Sequence, residues 1–261
     1  ATLTGNPQNM LIGSLSGQRY ADFFLHLLPV AVPALALTAL ILRRFFREEM
    51  SAGPLVESPA TPVLLDRKLL RLTLSVAAIT MAGFFAGGHL AWTALAGAAA
   101  VMVLSRRDPA PALARVDWTV LLFFAALFVV VGGINRTSLP GEVFRAADAW
   151  LSDTAARQAP VLAAVSVVGS NAVSNVPFIL LVEPWVRTLV EADLMWRVLA
   201  MSTTFAGNLT LLGSVANIIV FESARHVCPI GFWEYARVGI PVTLATTLVG
   251  TVVLCAVHAA R

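Results

Sequence analysis

Residues 170–181 read SNAVSNVPFILL, two Ser-Asn pairs and a proline inside an otherwise apolar run. The flanks, APVLAAVSVVG at 159–169 and VPFILLVEPWV at 176–186, are each apolar for only about a dozen residues, where a spanning helix needs roughly twenty. One helix through this region would carry two asparagines, two serines and a proline into hydrocarbon, where unpaired polar groups are costly. Two half-length helices meeting at a polar tip avoid that cost, which predicts a re-entrant hairpin over 159–190. Irregular backbone at that depth is tolerated only where it is buried in protein or lines a watery cavity. The tip therefore marks a site.

Working outward, the same oddity recurs in ATLTGNPQN at 1–9 and GNLTLLGSVANIIVFE at 207–222, both polar and glycine-interrupted. The chain as a whole is 58% hydrophobic and 13% charged over 261 residues, with a mean hydropathy of +0.80. A soluble domain carries about a quarter charged residues, so the expected solvent here is lipid. The formal charge of +3 does not imply nucleic acid, because the basic residues cluster beside apolar spans. Cys228 and Cys255 show no CxxC spacing and the four histidines are scattered, so neither a disulfide framework nor a metal site is expected. No signal peptide is expected ahead of the Gly-Asn-Pro segment.

Spans are expected at 23–46, 69–87, 89–105, 117–134 and 238–258, with a broken helix over 195–221 interrupted near Gly207-Asn208. The glycine pair before His89 makes the turn between two of them. Basic loops at 43–71 and 105–116 are separated by two spans, so they share one face, and the positive-inside rule makes that face cytoplasmic. The segment 135–158 then lies opposite, as an interfacial helix carrying Arg136, Arg145, Arg157, Glu142, Asp148 and Asp153. The six tryptophans, Trp92, Trp118, Trp150, Trp185, Trp196 and Trp233, fall mostly near span ends, as interface anchors do. Integral insertion in a bacterial cytoplasmic (inner) membrane is the expected location.

The chain also resembles itself. TLTGNPQNMLI at 2–12 aligns without gaps on TLLGSVANIIV at 210–220, matching Thr2/Thr210, Leu3/Leu211, Gly5/Gly213 and Asn9/Asn217, with Asn6 opposite Ser214. Beyond it Asp22 pairs with Glu234 and Pro29 with Pro241, after a shift of four residues. Repeats with a polar, interrupted helix at matching positions point to the midplane site of a secondary transporter. The organisation expected is 1–46 as the end of a first repeat, 47–68 as a cytoplasmic linker, and 69–261 as a second repeat. Within the latter, scaffold helices occupy 69–134, the hairpin 159–190, the broken helix 195–221 and the last span 238–258. Segments preceding the second break have no counterpart before Ala1, so the chain is expected to be the C-terminal part of a protein of roughly four hundred residues.

The residues of these three segments supply a coherent chemistry. Half-helix N-termini offer N–H donors to an anion; Ser174 or Asn175 stands as N-cap with Pro177 at an early helical position. Gly5 and Gly213 permit unwound backbone whose carbonyls could hold a small cation. Thr4, Asn6, Asn9, Ser170, Asn171, Asn208, Thr210, Ser214 and Asn217 add amides and hydroxyls able to bind a substrate or ion. Glu183 and Glu222 lie near helix ends, where solvated, interfacial roles are expected.

ATLTGNPQN, SNAVSNVPFILL and GNLTLLGSVANIIVFE together resemble the signature segments of the ion-transporter superfamily. It includes arsenite-efflux permeases, sodium/proton antiporters and divalent anion/sodium symporters. The resemblance covers essentially the whole chain. It implies an all-α polytopic membrane protein with an inverted-repeat transporter fold, re-entrant hairpins and broken helices, and a homodimer moving by an elevator-like mechanism. In the symporter branch a Ser-Asn-Thr tip helps bind sodium and substrate; here it reads Ser174-Asn175-Val176, without the threonine. A sodium site at Ser174, Asn175, Gly213 and Asn217 is implied. The function expected is secondary active transport of a small anion, an inorganic oxyanion or a carboxylate, coupled to Na+ or H+ and with no other cofactor. A sodium/proton antiporter or an arsenite/antimonite efflux permease is the alternative. A channel would need a continuous polar stripe, and an enzyme a nucleophile-base or HExxH-like constellation; neither is present in the sequence.

Overall fold

A computed structural model describes residues 1–51, 65–138, 141–142, 145, 154–224, 226 and 230–260, the side chain of Val215 excepted. The centre of the expected linker, half of the expected interfacial helix with Asp148, Trp150 and Asp153, and Cys228 lie outside the described residues. Those described are helical and irregular, with no strand among them.

The chain opens with an irregular stretch and helix α1 (Pro7–Ser16), followed by α2 (Tyr20–Phe45), the short α3 (Arg47–Ser51), α4 (Arg67–Phe85) and α5 (Leu90–Ser105). A single turn, α6 (Ala110–Leu113), leads into α7 (Trp118–Ile134). Then come α8 (Ala155–Val173), α9 (Asn175–Val186) and α10 (Ala192–Ala206). After a break containing the 3-10 turn Leu211–Gly213, α11 (Val215–Ala224) and α12 (Phe232–Ala259) complete the order. Tyr20–Phe45, Arg67–Phe85 and Phe232–Ala259 are long and apolar enough to cross a membrane. The last of these begins at Phe232, several residues before the expected start at 238, because Glu234 caps it: its carboxylate accepts from Gly231 N–H at 3.2 Å.

Burial sorts the helices into two groups. In α10 every residue from Leu194 to Thr203 is buried, the signature of a helix surrounded by protein on all sides. Its hydroxyls remain inside because each is satisfied by its own helix: Ser202 Oγ donates to Val198 O at 2.7 Å and Thr203 Oγ1 to Leu199 O at 2.7 Å. Helices α1, α2, α8, α9 and α12 pack around it. α2 contributes Tyr20, Phe23, Leu27, Val30 and Ala34, spaced three and four apart on one face. By contrast α4, α5 and α7 turn apolar side chains outward; Ile79, Trp92, Val103 and Val129 are each more than two-thirds exposed. Such surface is stable only against lipid or another apolar partner.

The pair α4–α5 is a helical hairpin turned at residues 86–89, where Gly87 takes φ +90°. It returns the chain so that Arg107 pairs with Asp66. The two basic loops therefore meet at one end of the molecule. Asp66 also caps α4, and the Leu69 N–H it accepts holds its carboxyl below the usual range, with Arg107 adding to the effect.

The central hairpin is present, with unequal arms. Gly169 and Phe178 lie against each other: a Cβ on Gly169 would stand 2.2 Å from the Phe178 ring. Two residues nine apart in sequence touch in this way only if the chain reverses between them. The reversal falls on Ser174, at φ 72° and ψ 156°, a strained backbone for a residue with a side chain. The first arm is 19 residues, longer than the dozen expected. It starts four residues before the apolar run, at Ala155, and passes it at the other end, where Ser170 and Asn171 satisfy their polar groups within the helix by donating to Ser166 O at 2.5 Å and Val167 O at 3.0 Å. The tip is one residue, where the sequence suggested six.

The two break segments share details. Helices α1 and α11 start and end at the same offset as Thr2/Thr210, and α2 and α12 start at the offset of Asp22/Glu234. Gly5 N–H donates to Thr2 O at 3.2 Å, and Gly213 N–H to Thr210 O at 3.0 Å. Asn9 Nδ2 donates to Thr2 O at 3.1 Å, and Asn217 Nδ2 to Thr210 O at 3.4 Å.

Candidate functional site

Three helices begin at one place. Asn6, extended at φ −158°, caps α1: its Oδ1 accepts from Asn9 N–H at 2.7 Å, and Pro7 follows in the first turn, where no N–H is needed. Ser214 precedes α11 and accepts from Ala216 N–H at 3.3 Å. Ser174 precedes α9, but its hydroxyl makes no capping bond. The first turn of α9 thus opens without the side-chain acceptor that the other two have.

Between these ends lies a cavity of about 530 Å³. Of the residues singled out from the sequence, Asn6, Ser174, Asn175, Pro177, Asn208, Ser214 and Asn217 line it. The described lining carries no charged side chain. Its electrostatics come instead from the partial positive charge of the helix N-termini and from amide and hydroxyl dipoles. Asn175 is buried; its Nδ2 donates to Gly213 O at 3.4 Å, while its Oδ1 has no protein partner. Asn217 Nδ2 donates to Gly207 O at 2.7 Å and to Tyr235 Oη at 3.0 Å.

The other expected residues stand behind the cavity or away from it. Thr210 Oγ1 donates to Asn171 Oδ1 at 3.1 Å, and Asn171 Nδ2 donates to Ala206 O at 2.9 Å, tying the hairpin to both sides of the break. Gly213 is needed for close approach: a Cβ there would lie 2.8 Å from Asn171 Oδ1 and 3.1 Å from Gly207 O. Ser170 is fully buried within its own helix. Gly5 closes the first break on Thr2, and Asn9 is buried beside a much smaller cavity. Thr4 is turned away, its hydroxyl 3.0 Å from Tyr20 Oη, beside a separate apolar cavity against α4 and α5.

Sequence reasoning missed part of the lining. Thr204 joins the two breaks: its Oγ1 accepts from Gln8 Nε2 at 2.9 Å and Asn6 Nδ2 at 3.3 Å and donates to Ala200 O at 2.7 Å. Phe123, Phe124 and Leu127 of α7 form an apolar wall. The only signal for Thr204 was its place just before Gly207-Asn208; nothing in α7 distinguishes a cavity-facing phenylalanine from a lipid-facing one. Glu183, as expected, is at a helix end, paired with Arg187, which also donates to Leu15 O at 2.6 Å.

An uncharged cavity at the meeting of interrupted helices in an apolar bundle is the arrangement found in secondary transporters. Residues 1–206 match the family described as citrate transporter. The chain belongs to the citrate transporter family. Among curated relatives, a 46 kDa membrane protein of Mycobacterium leprae is 30% identical over 261 residues, covering 94% of this chain and 61% of that protein. An uncharacterized transporter of Mycobacterium tuberculosis is 33% identical over 270 residues, with 97% and 63% covered. A silicon efflux transporter of Oryza sativa subsp. japonica is 36% identical over 180 residues, with 65% of this chain and 37% of the rice protein covered. This chain thus spans about three-fifths of the length of the mycobacterial relatives. No solved structure matches. Membership in this family makes the chain a polytopic membrane protein of a transporter family, in keeping with the superfamily resemblance.

Proposed function

We propose that this chain forms part of a secondary active transporter that moves a small anion, an inorganic oxyanion or a carboxylate, by alternating access coupled to sodium or protons. The observation that carries the reading is the convergence of three helix N-termini on one cavity without charged side chains. Aligned N–H groups attract an anion without leaving a buried cation unpaired when the site is empty. The apolar wall from α7 lowers the local dielectric and strengthens that attraction.

For the coupling cation, a second set of oxygens supports a separate site. Asn175 spends its Nδ2 on Gly213 O and keeps a buried Oδ1 without a partner, and Asn217 likewise spends its Nδ2 on carbonyls. Amide oxygens beside unwound carbonyls suit a small hard cation. We assign a sodium site to Ser174, Asn175, Gly213 and Asn217, with the anion at the helix ends of Asn6, Ser174 and Ser214. The paired bonds of the two breaks support a two-repeat organisation with 1–46 and 69–261 as unequal parts. The contact of the two basic loops supports placing 43–71 and 105–116 together on the cytoplasmic side of a bacterial inner membrane. The outward apolar faces suit lipid and a second copy in a homodimer.

The test is uptake by the full-length protein in proteoliposomes, using labelled phosphate, sulfate, arsenite, silicic acid, citrate and succinate, with and without sodium and pH gradients. Gradient-driven accumulation of phosphate, sulfate, citrate or succinate supports the proposal; accumulation of arsenite or silicic acid alone, both uncharged near neutral pH, would replace the anion by a neutral hydroxy acid. Sodium/proton exchange without flux of any of them would place the protein among antiporters instead.

A further inference from the structure

Asn9 and Asn217 occupy matching positions in the two breaks and are held differently. Each donates Nδ2 to the carbonyl seven residues earlier. Asn217 gains two more acceptors, Gly207 O at 2.7 Å and Tyr235 Oη at 3.0 Å. At the offset that pairs Asp22 with Glu234, the counterpart of Tyr235 is Phe23, a fully buried ring with no hydroxyl. A phenol on the asparagine is therefore a feature of the second break; in the first, the phenol of Tyr20 meets Thr4 instead.

The contacts of Tyr235 suit a clamp. Its ring meets Phe221 of α11 edge-on, with centroids 5.6 Å apart, while its oxygen meets Asn217 one helical turn earlier on the same helix. It stands on α12, which packs along α2, so it ties the half-helix after the break to the longest helix described. Both Gly207 O and Thr210 O belong to the break itself; Tyr235 is the acceptor outside it. The carbonyls Gly207 O and Thr210 O can only accept, so the amide presents nitrogen to them, and the phenol oxygen accepts from the same nitrogen. That leaves Oδ1 as the atom available to the cavity Asn217 lines.

We infer that Tyr235 is a positioning residue of the binding cavity, its phenol oxygen fixing the Asn217 amide so that Oδ1 is held as an acceptor for the coupling cation. This rests on the transporter reading above and deepens it. Tyr235 does not touch the cation; it acts through Asn217. A second cavity, of about 290 Å³, includes Tyr235 in its lining, with Thr38, Leu42, Glu234 and Val238 among others. Asn208 lines both cavities, whereas Tyr235 lines only the second and reaches the first through Asn217.

The test is sodium-dependent uptake by full-length wild type and Tyr235→Phe in proteoliposomes, using the anion that wild type accumulates, with thermal unfolding of both in detergent. The variant keeps the ring contact with Phe221 and loses only the hydroxyl. The expected result is a roughly five-fold rise in half-saturating sodium, the scale of one modest hydrogen bond. Maximal rate is expected to stay within about two-fold, since the group acts on binding, and the melting temperature to fall by no more than the loss of one modest hydrogen bond produces. An unaltered half-saturating sodium, or a parallel loss of rate and stability, overturns the positioning role. Sodium-independent uptake in wild type overturns the cation at Asn217 and leaves the transporter standing. No gradient-driven uptake at all overturns the transporter reading itself.

Discussion

At the scale of single residues, the site depends on how each buried amide is satisfied. Asn171 is the clearest case, with Thr210 donating to its oxygen and its nitrogen reaching Ala206 O across the break. Thr210→Val keeps the shape and removes the donor, leaving Asn171 Oδ1 unpaired in a partly buried position. We expect a loss of about 1–3 kcal/mol in stability, read as a lower melting temperature of the full-length protein in detergent, with Thr210→Ser restoring most of it. Asn175 and Asn217 were legible from sequence because an amide in an apolar run must be paired or used. Thr204 was not, since a mid-helix threonine can satisfy itself on the carbonyl four residues back, and its Oγ1 does so with Ala200 O. Only the fold reveals that the same oxygen also receives Asn6 and Gln8.

At the scale of elements, the hairpin was legible and its proportions were not. Apolar length alone set both arms at a dozen residues; the first arm starts earlier, at Ala155, and runs on to Val173 with Ser170 and Asn171 satisfied by side-chain bonds to their own helix. Hydropathy cannot see such bonds. Close packing of the arms depends on Gly169, whose missing Cβ makes room for the Phe178 ring. Gly169→Ala is expected to force the arms apart and destabilise the protein by about 1–3 kcal/mol, and adding Phe178→Leu to recover part of the loss; chemical-denaturation midpoints of the three variants measure both effects. Equal midpoints for wild type and Gly169→Ala would mean that the arms are not packed as described. The break in the second long segment was legible at Gly207-Asn208, because a polar, glycine-containing interruption has no other economical reading in lipid.

At the scale of the molecule, charge and apolar surface set the orientation. The Arg107–Asp66 pair brings the two basic loops to one end, and the outward faces of α4, α5 and α7 require an apolar surrounding. Single cysteines at Asp66 and Arg107, in a background with Cys228 and Cys255 replaced by serine, are expected to react with an impermeant maleimide from the same side in oriented vesicles. A cysteine at Asn135 is expected to react from the opposite side. Opposite labelling of the first two would break the topology. The central proposal is specific: it puts binding at the cavity where α1, α9 and α11 begin, and it predicts that residues away from that cavity are dispensable for binding. The most direct measurement compares anion uptake by the full-length protein in proteoliposomes for wild type, Asn175→Ala at the cavity and Thr4→Val off it. The expected result is loss of gradient-driven accumulation in Asn175→Ala, with Thr4→Val retaining at least about half of the wild-type rate at equal protein incorporation. Wild-type accumulation in Asn175→Ala, or its selective loss in Thr4→Val, would contradict the placement of the site.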